Sequence, residues 1–544
     1  AKYIPRPASS RSSASIALWA MQTDGPEEVP DNWEDNWSGD WENKHFFATA
    51  FGAVATDEKI KLPHGCSWPT PTTIPPKTYA EALKGEYAWL WKPAFDKEMN
   101  NHTVDNQTWE LTELPGGRRP TLSRWVLTYQ FHGLIFIKAK ARFVVCGYSQ
   151  IEGIDFFETY AGTPRWDSIR IGLAIMAMFD MGFEIVDISA AYLNAKMDED
   201  VYVRQAPGFE VHAKPGQGEL VYHLLLSLYG TKQAAHNWSI TRDVALADLG
   251  LTQSQCDPCM FYTKDVSPKD KNFLIHIVHV DDSITIGYEA AREKFISKLG
   301  KTFKIERGED NYYLGAKITI GKDYVKLDQE AYFIKMLATF GMSDCNPCET
   351  PMEHGAAFLK GTEFTVIEEN LRPIIGALRY GCITRPDIAT SVGIISRHAN
   401  KPTEEVAKAA KRILRYIKGT LGHGLIYKRG EGDINLHGFV DANLAGDIND
   451  RRSTTGFAFY LNGESCPVAF WSGIQSCVAT SMCHAEYMAA YKAATMAVYL
   501  RLMLKELGVE IVDATEIFED NAAAIAMSEN PVNHKTTLHF AVKY

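Results

Sequence analysis

The sequence predicts a multidomain protein of mixed α+β and α/β class. Length is the first observation: 544 residues exceed what one hydrophobic core serves and imply three or four domains. Texture is the second. From Tyr79 onward, segments of helical periodicity alternate with short strands rich in β-branched residues. Composition is the third, since 46% hydrophobic and 23% charged residues support sizeable cores and exclude wholesale disorder. No apolar run is long enough to cross a bilayer, so no membrane partner is expected. The opening AKYIPRPASSRSSAS has neither an initiator Met nor the apolar stretch of a signal peptide, as expected of a fragment or processed piece.

Taken in order, residues 1–77 read as an acidic linker rich in Pro and Ser, ending in SWPTPTTIPPKT. Trp33, Trp37 and Trp41 recur every four residues there and fit one face of a short docking helix. Next, YAEALKGEYAWLWKPAFDKEMNNH predicts a helix, and WVLTYQF followed by GLIFIKAKARFVVCG predicts a hairpin turning at His132-Gly133. DSIRIGLAIMAMFDMG reads as a buried helix, FEIVDIS as a strand, NWSITRDVALADLGL as a helix and LIHIVHVDDSITIG as a strand pair. A helix (EAAREKFISKLGKTF), a short hairpin (YYLGAKITIGKDYVKLD) and a helical region follow. From about Ile434 a second α/β unit begins, with strands LHGFVDA and GFAFYLNG, the long helix HAEYMAAYKAATMAVYLRLMLKELG and the strand EIFED.

Net charge is −11, which by itself argues against a nucleic-acid partner. The charge is unevenly spread, however. The stretch 401–420 holds Lys401, Lys408, Lys411, Arg412, Arg415 and Lys418 against two glutamates, a local basic surface or the solvated face of a helix. The ten cysteines read as reduced thiols. CDPC (Cys256, Cys259) and CNPC (Cys345, Cys348) have metal-like spacing, and four thiolates could build a structural zinc site; chance neighbours in Pro-containing turns is the plainer reading.

Carboxylates at strand ends carry the strongest chemical signal. Asp187 closes FEIVD, while Asp281 and Asp282 interrupt an apolar strand pair. Buried carboxylates need a partner. Three brought together would suit two hard divalent cations, which ~3.5–4 Å apart activate an attacking hydroxyl and stabilise a leaving group.

These blocks resemble the reverse transcriptase–RNase H region of copia-type LTR retrotransposon polyproteins. The resemblance covers nearly everything from Tyr79 to Tyr544, through NQTWEL, KAKARFVVCGYSQIEGIDFFETYA, VDISAAYLNAKMDEDVYVRQAPGFE, LYGTKQAAHNW, HVDDSITIG, YYLG, TRPDIATSV, KRILRYIKGTLGHGL, FVDANLAGDINDRRSTTG, HAEYMAA and EDNAAAIAMSENP, in that order. It implies a right-hand polymerase of fingers, palm and thumb followed by an RNase H-like domain: fingers and palm over 78–320, thumb or connection over 321–430, and the RNase H-like part over 431–544. Asp187, Asp281 and Asp282 would be the metal-binding catalytic carboxylates of an RNA-directed DNA polymerase, with Mg²⁺ or Mn²⁺ as cofactor. Lys140 and Arg142 would grip the triphosphate of an incoming deoxynucleoside triphosphate. Gln233, beside Lys232, would lie beneath its sugar and base, and Tyr312, Tyr313, Leu314 and Gly315 would hold the primer end. Template-primers of RNA and DNA and RNA–DNA hybrids are the implied partners, and cytoplasmic particles or the nucleus the implied compartment.

Departures from the family pattern qualify the expectation. His279 stands where Tyr is usual, and Thr231 and His236 where Leu and Arg are usual; none removes a metal carboxylate. His279 lacks the phenol and can take up charge. In the C-terminal unit Asp441 and Asp520 match catalytic metal ligands of RNase H. The helix reads His484-Ala485-Glu486-Tyr487 in place of Glu-Ala-Glu-Tyr. Glu486 is kept as a catalytic candidate, but it lies about 200° around a helix from position 484 and should not replace a ligand lost there. Near the end His539 is present, while Ala541 occupies the place of a final aspartate. The expectation is therefore a polymerase with a tethered RNase H-like domain of weak or absent nuclease activity. The alternatives are a decayed element that only binds nucleic acid and a zinc-stabilised interaction module. No aspartic protease or integrase-type zinc motif occurs in the chain.

Overall fold

The computed structural model describes residues 67–132, 135–308, 311–362, 365–430, 432–463 and 465–529. The three tryptophans of the linker, residues 133–134 of the hairpin turn, His539 and Ala541 lie outside the described residues. Residues 67–162 with 190–245 form one compact unit, and residues 163–189 with 246–529 form the other.

In the first unit the long helix expected after Tyr79 is two helices, Tyr79–Lys84 and Ala88–Asn100. Gly85 ends the first, its N–H bonding back to the Glu81 carbonyl, as glycine favours at helix ends. The second helix buries Leu90, Trp91, Phe95 and Met99 against the strands Ser123–His132 and Ile135–Val145, the expected hairpin. Ala141, Phe143 and Val145 of the second strand enter the core. Lys140 and Arg142 alternate with them and so share the opposite face. A three-stranded sheet of Trp109–Glu113, Leu220–Leu224 and Tyr202–Val203 completes this unit.

The second unit is built on a six-stranded sheet in the order Ile305–Arg307, Gly182–Ile188, Asp282–Gly287, Leu274–His279, Met260–Tyr262 and Thr252–Gln253. Every pairing is antiparallel. The helix Trp166–Met178 is buried at every residue from Asp167 to Met178, because the six-stranded sheet covers one part of its surface and further elements of the same core cover the rest. Its side chains join one core that also holds Phe457, Phe470, Leu500 and Met503 of the C-terminal unit. Arg170, at 2% exposure, links these layers. It pairs with Asp167 at 2.5 Å, donates to the Val468 carbonyl at 2.9 Å and lies 4.0 Å from the Phe470 ring centroid.

A second sheet follows, of Tyr312–Tyr313, Ala316–Ile320, Tyr324–Asp328 and Leu425–Lys428. Between its last two strands the chain forms the helices Glu330–Thr339, Arg372–Gly381, Ala389–Ser396 and Glu404–Gly419, with a core of their own. The basic run lies on the last of these. Val406, Ala410, Ile413, Leu414 and Ile417 face inward, and the cations sit on the outer side. Several are paired within the chain: Arg412 with Glu353 at 3.0 Å, Lys408 with Glu404 at 3.3 Å, and Arg415 on the Asn346 carbonyl at 2.7 Å.

The C-terminal part has the sheet order Ala469–Ile474, Thr454–Tyr460, His437–Ala442 and Glu516–Phe518, the last strand parallel to its neighbour. The helix Met482–Glu506 packs on it, begun by Ser481, whose side chain accepts the His484 N–H in the manner of an N-cap. Among the described residues no helix is long and apolar enough to cross a membrane.

The cysteine pairs do not form a metal site. Among the described residues the one group with metal-ligand geometry contains no cysteine. In CDPC the working residue is Asp257, fully buried: it accepts the Arg165 N–H at 2.9 Å, the Ser168 hydroxyl at 2.5 Å and the Cys259 N–H at 2.9 Å. The motif thus caps the buried helix from a distance. In CNPC, Cys348 bonds to the carbonyls of Thr350 and Arg412.

Candidate active sites

The first site forms where the six-stranded sheet places carboxylates on neighbouring strands. Asp282 is the Cα partner of Asp187 on one side and of His279 on the other. Val280 and Asp281 make the intervening two-residue turn, with Val280 at φ 56°. A β-branched residue in the left-handed region is strained, and the register on either side holds it there. The Asp281 carbonyl accepts the Ile188 N–H at 2.8 Å, which ties the turn to the strand bearing Asp187.

Electrostatics mark the same place. Burial pushes the Asp282 carboxyl up to about 7, and the neighbouring charges of Asp187 and Asp281 push the same way. The backbone N–H groups of Leu314 and Ser283 pull it down. Leu314 belongs to the YYLG segment, so the expected primer turn lies beside the Asp282 carboxylate. In that turn Leu314 and Gly315 both have positive φ, 48° and 74°, the pattern of a tight hairpin turn. Tyr313 is buried and donates to the Ile277 carbonyl at 3.1 Å. Tyr312 is exposed. Asp187, Asp281 and Asp282 offer the oxygen donors that hard divalent cations take, although the group of described residues whose ligand atoms close to within 4.8 Å is Asp441, Glu486 and Asp520.

In the other unit Lys140 and Arg142 lie half-buried on one strand face, with the Arg142 guanidinium 5.9 Å from the Tyr229 ring centroid. Gln233 differs from the expectation of a ligand contact. It is fully buried, accepting from Gln150 at 3.1 Å and donating to the Asp155 carbonyl at 2.7 Å. Both ends of its amide are engaged by protein, so it braces the loop from Gln150 to Asp155. Gln150 in turn accepts the Lys232 N–H at 2.7 Å.

The second site lies at the open end of the C-terminal sheet. Phe439 and Phe518 are parallel partners, so Asp441 and Asp520, each two residues further on, emerge side by side. Glu486 joins them: one ligand atom from each of Asp441, Glu486 and Asp520 lies within 4.8 Å of the others. This corrects the expectation that Glu486 stands apart. His484 is the residue turned elsewhere, its Nδ1 accepting the Thr480 N–H at 3.2 Å. Both positions are buried because this end of the helix is covered on more than one side.

Glu486 is 3% exposed and, among the described residues, its Oε2 has no hydrogen-bond partner. Burial pushes it up to about 9, reinforced by Glu519, Asp441 and Asp520. Glu519, absent from the sequence reading, is also buried. Its carboxylate accepts the Asn521 N–H at 3.0 Å, and burial pushes it up to about 7. Its adjacency to Asp520 was the available signal. An orphaned buried carboxylate oxygen inside a cluster of like charges is what a bound cation would satisfy.

A sheet that sets Asp187 opposite Asp282, with a strained two-residue turn joining the strand of Asp282 to that of His279 and a second carboxylate centre on an RNase H-like sheet, defines a right-hand polymerase joined to an RNase H-like domain. Residues 106–354 match the family model described as reverse transcriptase (RNA-dependent DNA polymerase). The retrovirus-related Pol polyprotein from transposon TNT 1-94 of Nicotiana tabacum is 34% identical over 86% of this chain and 35% of its own length. That from transposon RE1 of Arabidopsis thaliana is 32% identical over 86% of this chain and 31% of its own. A solved foamy viral protease-reverse transcriptase with double-stranded DNA aligns over 81% of this chain and 64% of its own at TM-score 0.45 and 12% identity, too distant to bear on function. The chain belongs to the copia-type LTR-retrotransposon Pol polyproteins, as their reverse transcriptase–RNase H region. It spans about a third of the length of those two relatives.

Proposed function

We propose that the chain is an RNA-directed DNA polymerase that extends primers on RNA or DNA templates with deoxynucleoside triphosphates, using Mg²⁺ or Mn²⁺. The observation that carries this reading is the register of Asp187 against Asp282 with Asp281 in the turn between the strands. Bound divalent ions supply activation of the primer hydroxyl and charge stabilisation of the leaving pyrophosphate. Asp187, Asp281 and Asp282 would hold them through oxygen atoms. Lys140 and Arg142 neutralise the triphosphate. The turn at 312–315 seats the primer end, with the exposed Tyr312 ring available to it. Nucleic acid is held mainly through phosphates, so binding weakens with salt. The test is extension of a primed RNA template with and without Mg²⁺, beside Asp281→Asn. The expected result is Mg²⁺-dependent extension lost in the variant; a folded wild-type protein that does not extend refutes the reading.

A second activity is favoured by one observation, the meeting of Glu486 with Asp441 and Asp520. We infer that this centre binds the same class of cation and cleaves the RNA strand of an RNA–DNA hybrid. Glu486 serves as the helix ligand regardless of His484. Cleavage of hybrid RNA that is lost in Asp441→Asn supports this; intact RNA under conditions where the polymerase works refutes it.

A further inference from the structure

Tyr380 lies on the helix Arg372–Gly381, outside every motif assigned a role above. Its hydroxyl donates to the main-chain carbonyl of Leu314 at 2.8 Å. The preceding residue, Tyr313, donates to the Ile277 carbonyl at 3.1 Å, on the strand that leads into the carboxylate turn. The YYLG turn is therefore bonded on one side to a helix of the bundle and on the other to the strand pair that carries Asp282.

The turn needs such a tether. Leu314 sits at φ 48°, a left-handed region that a residue with a Cβ adopts only at a cost in strain. Gly315 follows at φ 74°, and a Cβ added there would collide with the Tyr380 hydroxyl. Tyr380 is itself fixed from behind. The Tyr332 ring meets it edge-on at 4.8 Å, and the Tyr332 hydroxyl donates to the Ala377 carbonyl at 2.9 Å.

We infer that Tyr380 is a positioning residue for DNA synthesis: its hydroxyl holds the Leu314 carbonyl and so fixes the YYLG turn against the strand pair that carries Asp282. The inference rests on the proposed polymerase role of Asp187, Asp281 and Asp282. It makes the helical bundle responsible for the placement of that turn, apart from any contact with nucleic acid.

Tyr380→Phe tests it, since the ring packing on Tyr332 remains and only the hydroxyl is lost. Misplacement of a reacting group by a fraction of an ångström is expected to lower kcat for single-nucleotide addition about tenfold. KM for the nucleotide and for the primer–template should stay within about twofold, because no ligand-facing surface is altered, and the melting temperature should fall by no more than the few degrees that one lost hydrogen bond explains. Gly315→Ala displaces the same hydroxyl, so combining it with Tyr380→Phe should add little to either defect. Asp282→Asn and Tyr312→Ala run alongside. An active Asp282→Asn enzyme sinks the polymerase reading, and an unchanged primer KM in Tyr312→Ala sinks the primer-seat reading alone. If Asp282→Asn is inactive and Tyr380→Phe keeps the wild-type kcat, the role given to Tyr380 is overturned while the polymerase reading stands. A kcat loss matched by loss of folded protein overturns it equally.

Discussion

Replacing Glu486 by Gln should stabilise the metal-free protein, by an amount that depends on pH. The ordinary glutamate value is 4.5, and burial among Glu519, Asp441 and Asp520 raises it to about 9. Below pH 4.5 both folded and unfolded chains carry the proton, and nothing is lost. Above it the unfolded chain ionises while the folded chain keeps its proton, so stability falls by about 1.4 kcal/mol per pH unit until the folded group also titrates. From pH 4.5 to pH 8 that amounts to ~5 kcal/mol as a ceiling, and since four carboxylates share the repulsion about half is expected for one of them. Gln keeps the shape and never ionises. In EDTA at pH 8, Glu486→Gln should be more stable by ~2–3 kcal/mol, seen as a melting temperature several degrees higher, and the difference should vanish near pH 4.5. Added Mg²⁺ should raise the melting temperature of the wild type more than that of the variant, because binding to the folded form adds stability. Thermal denaturation across pH 4.5, 6 and 8 reads all of this. A variant no more stable than wild type at pH 8, or a difference independent of pH, would refute the reasoning.

Other consequences follow from the same geometry. Arg142→Ala and Lys140→Ala should each raise the nucleotide KM about tenfold or more by removing a charge-assisted phosphate contact, with a smaller change in kcat; steady-state extension over a nucleotide titration measures it. Arg170→Met leaves Asp167 buried without its 2.5 Å partner, and loss of one member of a buried pair should destabilise the unit by ~3–5 kcal/mol, read by denaturant unfolding. An Asp167→Asn, Arg170→Met double variant should recover much of that loss.

What was legible in the sequence was whatever local pattern encodes. The apolar, β-branched run around Asp281 and Asp282 announced a strand pair, and its pairing with the strand of Asp187 needed only that three carboxylates seek a common partner. The link from Tyr380 to Leu314 was not legible, because it ends on a main-chain carbonyl across 66 positions that no side-chain pattern reports. Glu486 was misjudged for a related reason. Angular separation on a helix decides which face a residue takes only when one face is buried, and here the helix end is enclosed. Gln233 shows the converse: a motif match identified an important residue, yet its fully buried amide braces a loop. The CDPC spacing drew attention to thiols, whereas the fold uses the aspartate between them. The basic run was legible as either a basic surface or a solvated helix face; its apolar positions recur at helical spacing, and the intrachain partners of Lys408, Arg412 and Arg415 could not be read from the sequence.

The central claim is that one chain carries two carboxylate centres with separate chemistry, one around Asp187, Asp281 and Asp282 and one around Asp441, Glu486 and Asp520. The most direct measurement follows DNA extension and RNA cleavage together on a single end-labelled RNA template annealed to a DNA primer, in Mg²⁺. The account predicts that wild type does both, that Asp281→Asn loses extension while still cutting a preformed hybrid, and that Asp441→Asn extends while leaving the RNA intact. Loss of both activities in either single variant, with the protein still folded, would contradict it.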